Sequence, residues 1–208
     1  MSHDDAQDFW SGRYRAAGTD YLFGTAPNRF LAAQAGMLRQ GQRALSVADG
    51  EGRNAVWLAE QGLDVTATEL SPVALEKAEA LAATRGVQID FALVDALNWI
   101  YPDEAFDLVV AIFIQFAAPD ERARLFGNLK RTLRPGGRIV LQGYTPKQLD
   151  YRTGGPSAID NLYTAAMLHE AFGDFDIERL DEYEDVLDEG LAHRGRSALV
   201  GMVARKPG

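Results

Sequence analysis

Cysteine is absent from all 208 residues. That absence excludes disulfides, thiolate nucleophiles and cysteine-built metal sites together. Histidine is scarce: His3, His169 and His193 are the 3 in the chain, far apart and in no ligand spacing, so no metal centre is expected. No apolar run approaches the ~18 residues that a membrane span needs. The start, Met1-Ser2-His3-Asp4-Asp5, is acidic and lacks an apolar stretch, so no secretory leader and a cytoplasmic location are expected. Positive charge is in deficit: 21 Lys and Arg against 30 Asp and Glu leave a net charge of −9. A nucleic-acid binder needs a basic face to neutralise phosphates. The weak cluster Arg122, Arg124, Lys130, Arg131 and Arg134 reads instead as one solvated helix face. The expected partner is therefore a small-molecule substrate, with no nucleic acid and no membrane, for a monomer or homodimer. Apolar residues are not lacking, at 47% of the chain, and the length fits a single domain over 1–208.

The run Leu45-Ser46-Val47-Ala48-Asp49-Gly50-Glu51-Gly52-Arg53-Asn54 reads as a buried strand, a glycine turn and a helix start. Glycine has no Cβ, so a ligand can press against bare backbone there, and the helix that follows presents free N–H groups. Farther on, Glu69 stands at the tip of a second strand, Asp64 to Thr68. A glycine loop followed by an acidic strand end grips a nucleoside, the carboxylate accepting from both ribose hydroxyls. Nicotinamide and S-adenosylmethionine proteins share that arrangement. Ala55 fills the third glycine position of the dinucleotide pattern, which its looser form allows. No Tyr-x-x-x-Lys supports hydride transfer.

Strands and helices alternate through most of the chain. The N-terminal segment, residues 1–40, is aromatic (Phe9, Trp10, Tyr14, Tyr21, Phe23) and predicts two helices, Asp5 to Ala16 and Asn28 to Arg39, which the resemblance given below implies form a lid. Strand one is Ala44 to Val47, followed by a helix from Arg53 to Gln61. After strand two, Ser71-Pro72 opens a helix to Arg85, the serine capping and the proline fitting its first turn. Strand three is Ile89 to Val94 and strand four Phe106 to Ile112, apolar as a strand covered on both faces must be. A helix from Pro119 to Leu133 leads through the turn Arg134-Pro135-Gly136-Gly137 to strand five, Arg138 to Gln142. Residues 143–172 read as a second lid, a loop from Gly143 to Ser157 and a helix from Leu162 to Phe172. The last strands, Phe175 to Tyr183 and Ser197 to Lys206, flank a loop holding His193-Arg194-Gly195-Arg196. Alternating units imply a doubly wound α/β sheet, and two final strands imply an antiparallel hairpin at its edge.

These residues resemble the class I S-adenosylmethionine-dependent methyltransferases over residues 40 to 206. The resemblance rests on Val47 to Gly52, Glu69, Asp95-Ala96, Phe106-Asp107-Leu108-Val109-Val110, and Leu133-Arg134-Pro135-Gly136-Gly137-Arg138-Ile139-Val140-Leu141, in that order. It implies a Rossmann-like seven-stranded sheet of order 3-2-1-4-5-7-6 with strand 7 antiparallel, and S-adenosylmethionine as cofactor. A narrower likeness, to the tellurite-resistance and thiopurine-type enzymes, lies in Phe9-Trp10-x-x-x-Tyr14, Tyr21-Leu22-Phe23-Gly24, Pro27-Asn28, Gly52-Arg53-Asn54-Ala55 with Leu58-Ala59, and the pair His193-Arg194. The class pattern has an acidic residue before the turn and glycine at its first position. Here Ser46 and Ala48 stand there, and Asp49 is the carboxylate left to orient the methionine end.

The resemblance implies cofactor contacts from Tyr14, Ala48, Asp49, Gly50, Gly52, Asn54, Glu69, Leu70, Asp95, Ala96, Ile112 and Phe113. Glu69 would take the ribose, Leu70 would lie on adenine and Asp95 would accept from its amino group. The acceptor is expected to be a soft nucleophile, a thiol or a chalcogen oxyanion, positioned by His193, Arg194 and Arg196. Base methylation is disfavoured, since neither an Asn/Asp-Pro-Pro-Tyr motif nor a Pro-Cys pair is present, and arsenite is disfavoured without cysteine. A nonenzymatic S-adenosylmethionine-binding sensor is the alternative, motivated by Ser46 and Ala48.

Overall fold

The computed structural model describes residues 3–208. Met1 and Ser2, part of the acidic start noted above, lie outside them. The strands are β1 (Arg43–Ser46), β2 (Asp64–Glu69), β3 (Asp90–Leu93), β4 (Phe106–Ile112), β5 (Leu133–Tyr144), β6 (Asp176–Glu189) and β7 (His193–Arg205). The helices are α1 (His3–Ala16), α2 (Arg29–Ala32), α3 (Arg53–Glu60), α4 (Pro72–Arg85), α5 (Pro119–Thr132), α6 (Gln148–Tyr151) and α7 (Ala165–Ala171). All seven strands lie in one sheet of order β3-β2-β1-β4-β5-β7-β6. β1 with β2, β2 with β3 and β4 with β5 pair in parallel, and β7 runs antiparallel to β5. This is the Rossmann-like sheet expected from the sequence.

Two compact units divide the chain. One runs to Trp99 and adds Glu189–Ala192; the other is Ile100–Asp188 with His193–Gly208. In the first, β1 and β2 bury Ala44, Leu45, Val65 and Ala67 under α3 and α4. Ser71 Oγ accepts the Ala74 N–H at 3.3 Å, Pro72 opens α4, and Gly86 closes it in the left-handed conformation at φ 68°. α1 packs on α4. Its Ser11 hydroxyl pairs with that of Ser71 at 2.9 Å, and Gln7 Nε2 donates to the Leu70 carbonyl at 3.0 Å. The second unit has β4 buried along nearly its whole length, as its apolar sequence predicts. At the chain's edge strand β6, carboxylates alternate with half-buried residues. A charged edge resists pairing with another chain.

Several boundaries moved. The helix expected over 28–39 stops at Ala32, with a short 3₁₀ turn at Ala35–Met37. Only Phe30 and Leu31 are buried there, and a helix without an apolar stripe has little to hold further turns. The expected helix from Leu162 begins at Ala165, where Thr164 Oγ1 accepts the Met167 N–H at 3.1 Å. The largest correction concerns His193-Arg194-Gly195-Arg196, expected in a loop. These residues open β7, and the hairpin turns instead at Gly190, φ 75°. Thr153 Oγ1 donates to the Arg196 carbonyl at 2.6 Å, fixing that strand start.

Candidate functional site

β1 ends at Ser46, and the chain then bends through Val47-Ala48-Asp49-Gly50-Glu51 into α3. The bend is held from β2: the Asp49 N–H donates to the Thr68 carbonyl at 2.9 Å. Ala48 sits at φ 49°, a left-handed conformation that disfavours any residue with a Cβ, which explains why the class pattern has glycine there. Gly52 has φ 92°, and a Cβ on it would stand 2.8 Å from the Ala78 Cβ of α4, so α3 and α4 approach only because the side chain is missing. A Cβ on Gly50 would stand 2.9 Å from the Tyr14 hydroxyl oxygen. Tyr14 and Gly50 thus meet directly.

Glu69, at the end of β2, is buried. Its Oε2 accepts the Gly50 N–H at 2.9 Å and its Oε1 accepts the Ser71 N–H at 2.8 Å. Two backbone donors from opposite sides fix the carboxylate plane. A carboxylate has about four acceptor sites, so the group keeps capacity for a further hydroxyl donor beyond its backbone partners. Burial pushes the Glu69 carboxyl above its ordinary range, while the Ser71, Gly50 and Leu70 N–H groups pull it back. Burial, with Glu69 and Glu51 nearby, pushes the Tyr14 hydroxyl well above its ordinary value, so it is a neutral donor at all working pH.

Asp49 lies in the turn, bonded to Ser46 at the end of the strand. Ser46 Oγ donates to its Oδ1 at 2.5 Å, and the Ala55 N–H, in the first turn of α3, donates to its Oδ2 at 3.3 Å. Burial lifts its pKa to about 7, against the pull of Ser46, Ala55 and Arg53. The chain therefore keeps a carboxyl group at the turn, carried on the turn and steadied by the serine.

Asp95 follows β3, whose Leu93 pairs with Glu69. Its Oδ1 accepts the Leu97 N–H at 2.9 Å and its Oδ2 accepts from Asn98 Nδ2 at 2.6 Å, so it does cap the short turn after the strand. Ala96 is buried beside it. The Asn54 Oδ1 accepts the Asn28 N–H at 2.9 Å. That amide oxygen is a fastening for the N-terminal segment. In this unit the structure gathers Tyr14, Ala48, Asp49, Gly50, Gly52, Asn54, Glu69 and Leu70 around one bend.

In the other unit, Ile112 ends β4 and Phe113 follows at φ 57°, also left-handed. The Phe113 ring stacks on Tyr144 with centroids 4.6 Å apart and meets the His193 ring edge-on at 4.5 Å. His193 is buried. Arg194 and Arg196 are not brought to it. Arg194 faces Asp188 at 3.4 Å, and Arg196 holds Glu184 at 2.6 Å and lies 5.1 Å over the Tyr151 ring. Both are exposed, each with a carboxylate as partner.

A set of buried charges escaped the sequence reading. Glu51, between the two glycines, takes Lys77 Nζ at 2.9 Å and the Phe23 N–H at 3.3 Å. Arg53 Nη1 lies 2.8 Å from Glu189 Oε2, and Glu189 Oε1 also accepts from Asn28 Nδ2 and the Arg29 N–H, each at 3.1 Å. Glu51 and Arg53 were visible inside the motif. Lys77 looked like an ordinary helix-surface lysine, and Glu189 lies 161 residues from Asn28. Among the described residues no cluster of metal-ligating side chains occurs, and no helix is long and apolar enough to cross a membrane.

Known proteins with the same features can now be set beside this geometry. Residues 44–137 match a family described as a methyltransferase domain. The demethylmenaquinone methyltransferase of Thermus thermophilus is 36% identical over 107 residues, which are 50% of this chain and 48% of that protein. TehB from Haemophilus influenzae superposes with TM-score 0.71 at 20% identity, over 96% of this chain and 66% of that one. A structure reported for the conversion of a disulfide bond into a thioacetal group during echinomycin biosynthesis superposes with TM-score 0.78 at 21% identity, covering 97% of this chain and 91% of that one. The chain spans about half, or less, of the length of the curated relatives it matches. The fold is that of the class I S-adenosylmethionine-dependent methyltransferases.

Proposed function

We propose that this protein transfers a methyl group from S-adenosylmethionine to a small-molecule acceptor, a soft nucleophile such as a thiol or a chalcogen oxyanion. The observation that carries the reading is the Glu69 carboxylate at the strand tip, its two oxygens oriented by the Gly50 and Ser71 N–H groups beside the glycine turn. A vicinal diol fits that acceptor pair. Asp49 and the Tyr14 hydroxyl would hold the charged methionine end, and Asp95 with the Ala96 N–H the adenine edge. Ala48, Gly50 and Gly52 supply the bare backbone and Leu70 an apolar face.

S-adenosylmethionine supplies a methyl already activated on a sulfonium, whose departure leaves a neutral thioether. The chain's task is then to bind, align and exclude water. Alignment alone can remove up to ~7–11 kcal/mol of barrier. No general base is needed for an acceptor that arrives as an anion. His193 is the group we retain for positioning that anion, as neither side chain of Arg194 nor Arg196 is free of a carboxylate.

Calorimetric titration with S-adenosylmethionine tests the cofactor. The expected result is 1:1 binding that Glu69→Ala weakens by about a hundredfold, the loss of two hydrogen bonds to a charged group at ~1.5–3 kcal/mol each being partly offset by water. No heat at millimolar ligand would end the proposal. The altered Ser46 and Ala48 favour a second reading, a binding module without turnover. Transfer of label from methyl-labelled cofactor to a panel of thiols, selenite and tellurite separates the two.

A further inference from the structure

We propose that Lys77 is a positioning residue for the cofactor site: with Glu51 it fixes Tyr14 so that the tyrosine hydroxyl closes on Gly50. The inference rests on the reading of the glycine turn as the cofactor loop. A lysine ammonium has three hydrogens to donate. Those of Lys77 go to the Tyr14 carbonyl at 3.1 Å, the Asp20 carbonyl at 2.8 Å and Glu51 Oε1 at 2.9 Å. The three acceptors belong to α1, to the segment after it and to the glycine turn. One side chain of α4 therefore ties all three together. The pair is sheltered, with side-chain exposures of 16% for Lys77 and 1% for Glu51. The Tyr21 hydroxyl donates back to the Lys77 carbonyl at 3.2 Å, and the ammonium lies 5.9 Å from the Tyr21 ring centre.

Glu51 works from the other side. Its second oxygen accepts the Phe23 N–H, and the Phe23 ring meets Tyr14 edge-on with centroids 6.1 Å apart. Trp10 also stacks on Tyr14, with centroids 6.1 Å apart. Tyr14 is thus held at its carbonyl by Lys77 and flanked at its ring by Trp10 and Phe23, with its hydroxyl against Gly50. The three acceptors of this one ammonium lie on the elements that carry Tyr14 and the glycine turn.

The test is a double-mutant cycle read as S-adenosylmethionine affinity by calorimetry, on the full chain. Lys77→Met and Tyr14→Phe are each expected to weaken binding about tenfold, the size of one hydrogen bond. Together they are expected to weaken it no more than about tenfold, because Lys77 acts through Tyr14. Lys77→Arg should recover most of the affinity, since its guanidinium also donates to carbonyls and a carboxylate. Lys77→Met leaves Glu51 buried without its cation, so Lys77→Met with Glu51→Gln, which removes both charges, is run in parallel and should bind as weakly as Lys77→Met alone. Losses that multiply to about a hundredfold, or wild-type affinity in either Lys77→Met background, would overturn the role. Absence of binding by the wild type would overturn it together with the cofactor reading, and that outcome is seen before any variant is made.

Discussion

Around the glycine turn the interior is ionic. Glu51, Arg53, Glu69 and Glu189 are all buried there, each with named partners, and Asp49 joins them with a pKa near 7. In the unit that starts at Ile100 the interior is aromatic. Phe126 lies 5.2 Å from Phe172 and 5.8 Å from Tyr163, Phe172 lies 6.0 Å from Phe175, and Phe113 stacks on Tyr144. The polar groups of that unit serve the backbone: Gln115 bridges the Tyr144 and Asn161 carbonyls, and Tyr163 donates to the Ile114 carbonyl at 3.1 Å. A ligand with many hydrogen-bonding groups, the same for every member of a class, calls for fixed charges in fixed places. Aromatic surfaces bury large area with few directional demands, so they tolerate change. The first region is thus ordered by fixed charges and the second by ring packing.

The sharpest way to break the comparison is at Arg53. Arg53→Met leaves the Glu189 carboxylate buried without its cation and should lower unfolding free energy by ~3–5 kcal/mol in urea titration. Arg53→Met combined with Glu189→Leu should regain most of that, because removing both charges removes the uncompensated one. If the double variant is as unstable as the single one, Glu189 is held by Asn28 and Arg29 rather than by the ion pair.

Titration gives the next largest effect, and the two regions respond with opposite sign. The Asp49 carboxyl ionises near 7 in the folded chain against 3.8 for an ordinary side chain. The folded state then holds a proton that the unfolded state has released, so this contribution to stability is present below about pH 4 and is lost as pH rises through 7. Glu69, also shifted upward, acts in the same direction. Glu184, in the other unit, is pulled down to about 2 by Lys147, then by Tyr151 and Arg196, and its contribution is lost only in acid. Urea unfolding between pH 5 and 8 should show stability declining, and Asp49→Asn should flatten most of that slope. An unchanged slope would show that the Asp49 carboxyl is ionised throughout.

Much of the architecture was legible because local signals agreed with it. Ser71-Pro72 and Gly86 bound α4, the apolar run Leu108 to Ile112 gave a strand covered on both sides, and the spacing from Gly50 to Glu69 put the carboxylate beside the turn. The ionic lock was hidden because its members lie far apart in sequence and look like surface residues one at a time. Lys77 is one charged residue in an alanine-rich helix, and Glu189 ends an acidic strand. His193-Arg194-Gly195-Arg196 was misplaced for the opposite reason. Glycine among charged residues reads as a turn, but pairing along β7 and the bond from Thr153 override that local preference.

The smallest effect sharpens the comparison most, since each region holds a non-glycine residue in the same strained backbone region. Ala48 has φ 49° and Phe113 φ 57°. A left-handed residue with a Cβ costs about 1–2 kcal/mol, and glycine removes that strain while adding ~0.4–1 kcal/mol of unfolded-state entropy. At Ala48 the side chain is one methyl, so Ala48→Gly should raise stability by about 0.5–1 kcal/mol. Phe113→Gly relieves the same strain and loses the stack on Tyr144 and the edge contact with His193, so it should be net destabilising despite the freer backbone. Urea midpoints of the two variants that move in opposite directions would confirm that the strain at Phe113 is maintained by its ring contacts. Midpoints that both rise would show that those rings contribute little, and that the aromatic region is no more fixed by its packing than the turn is by Ala48.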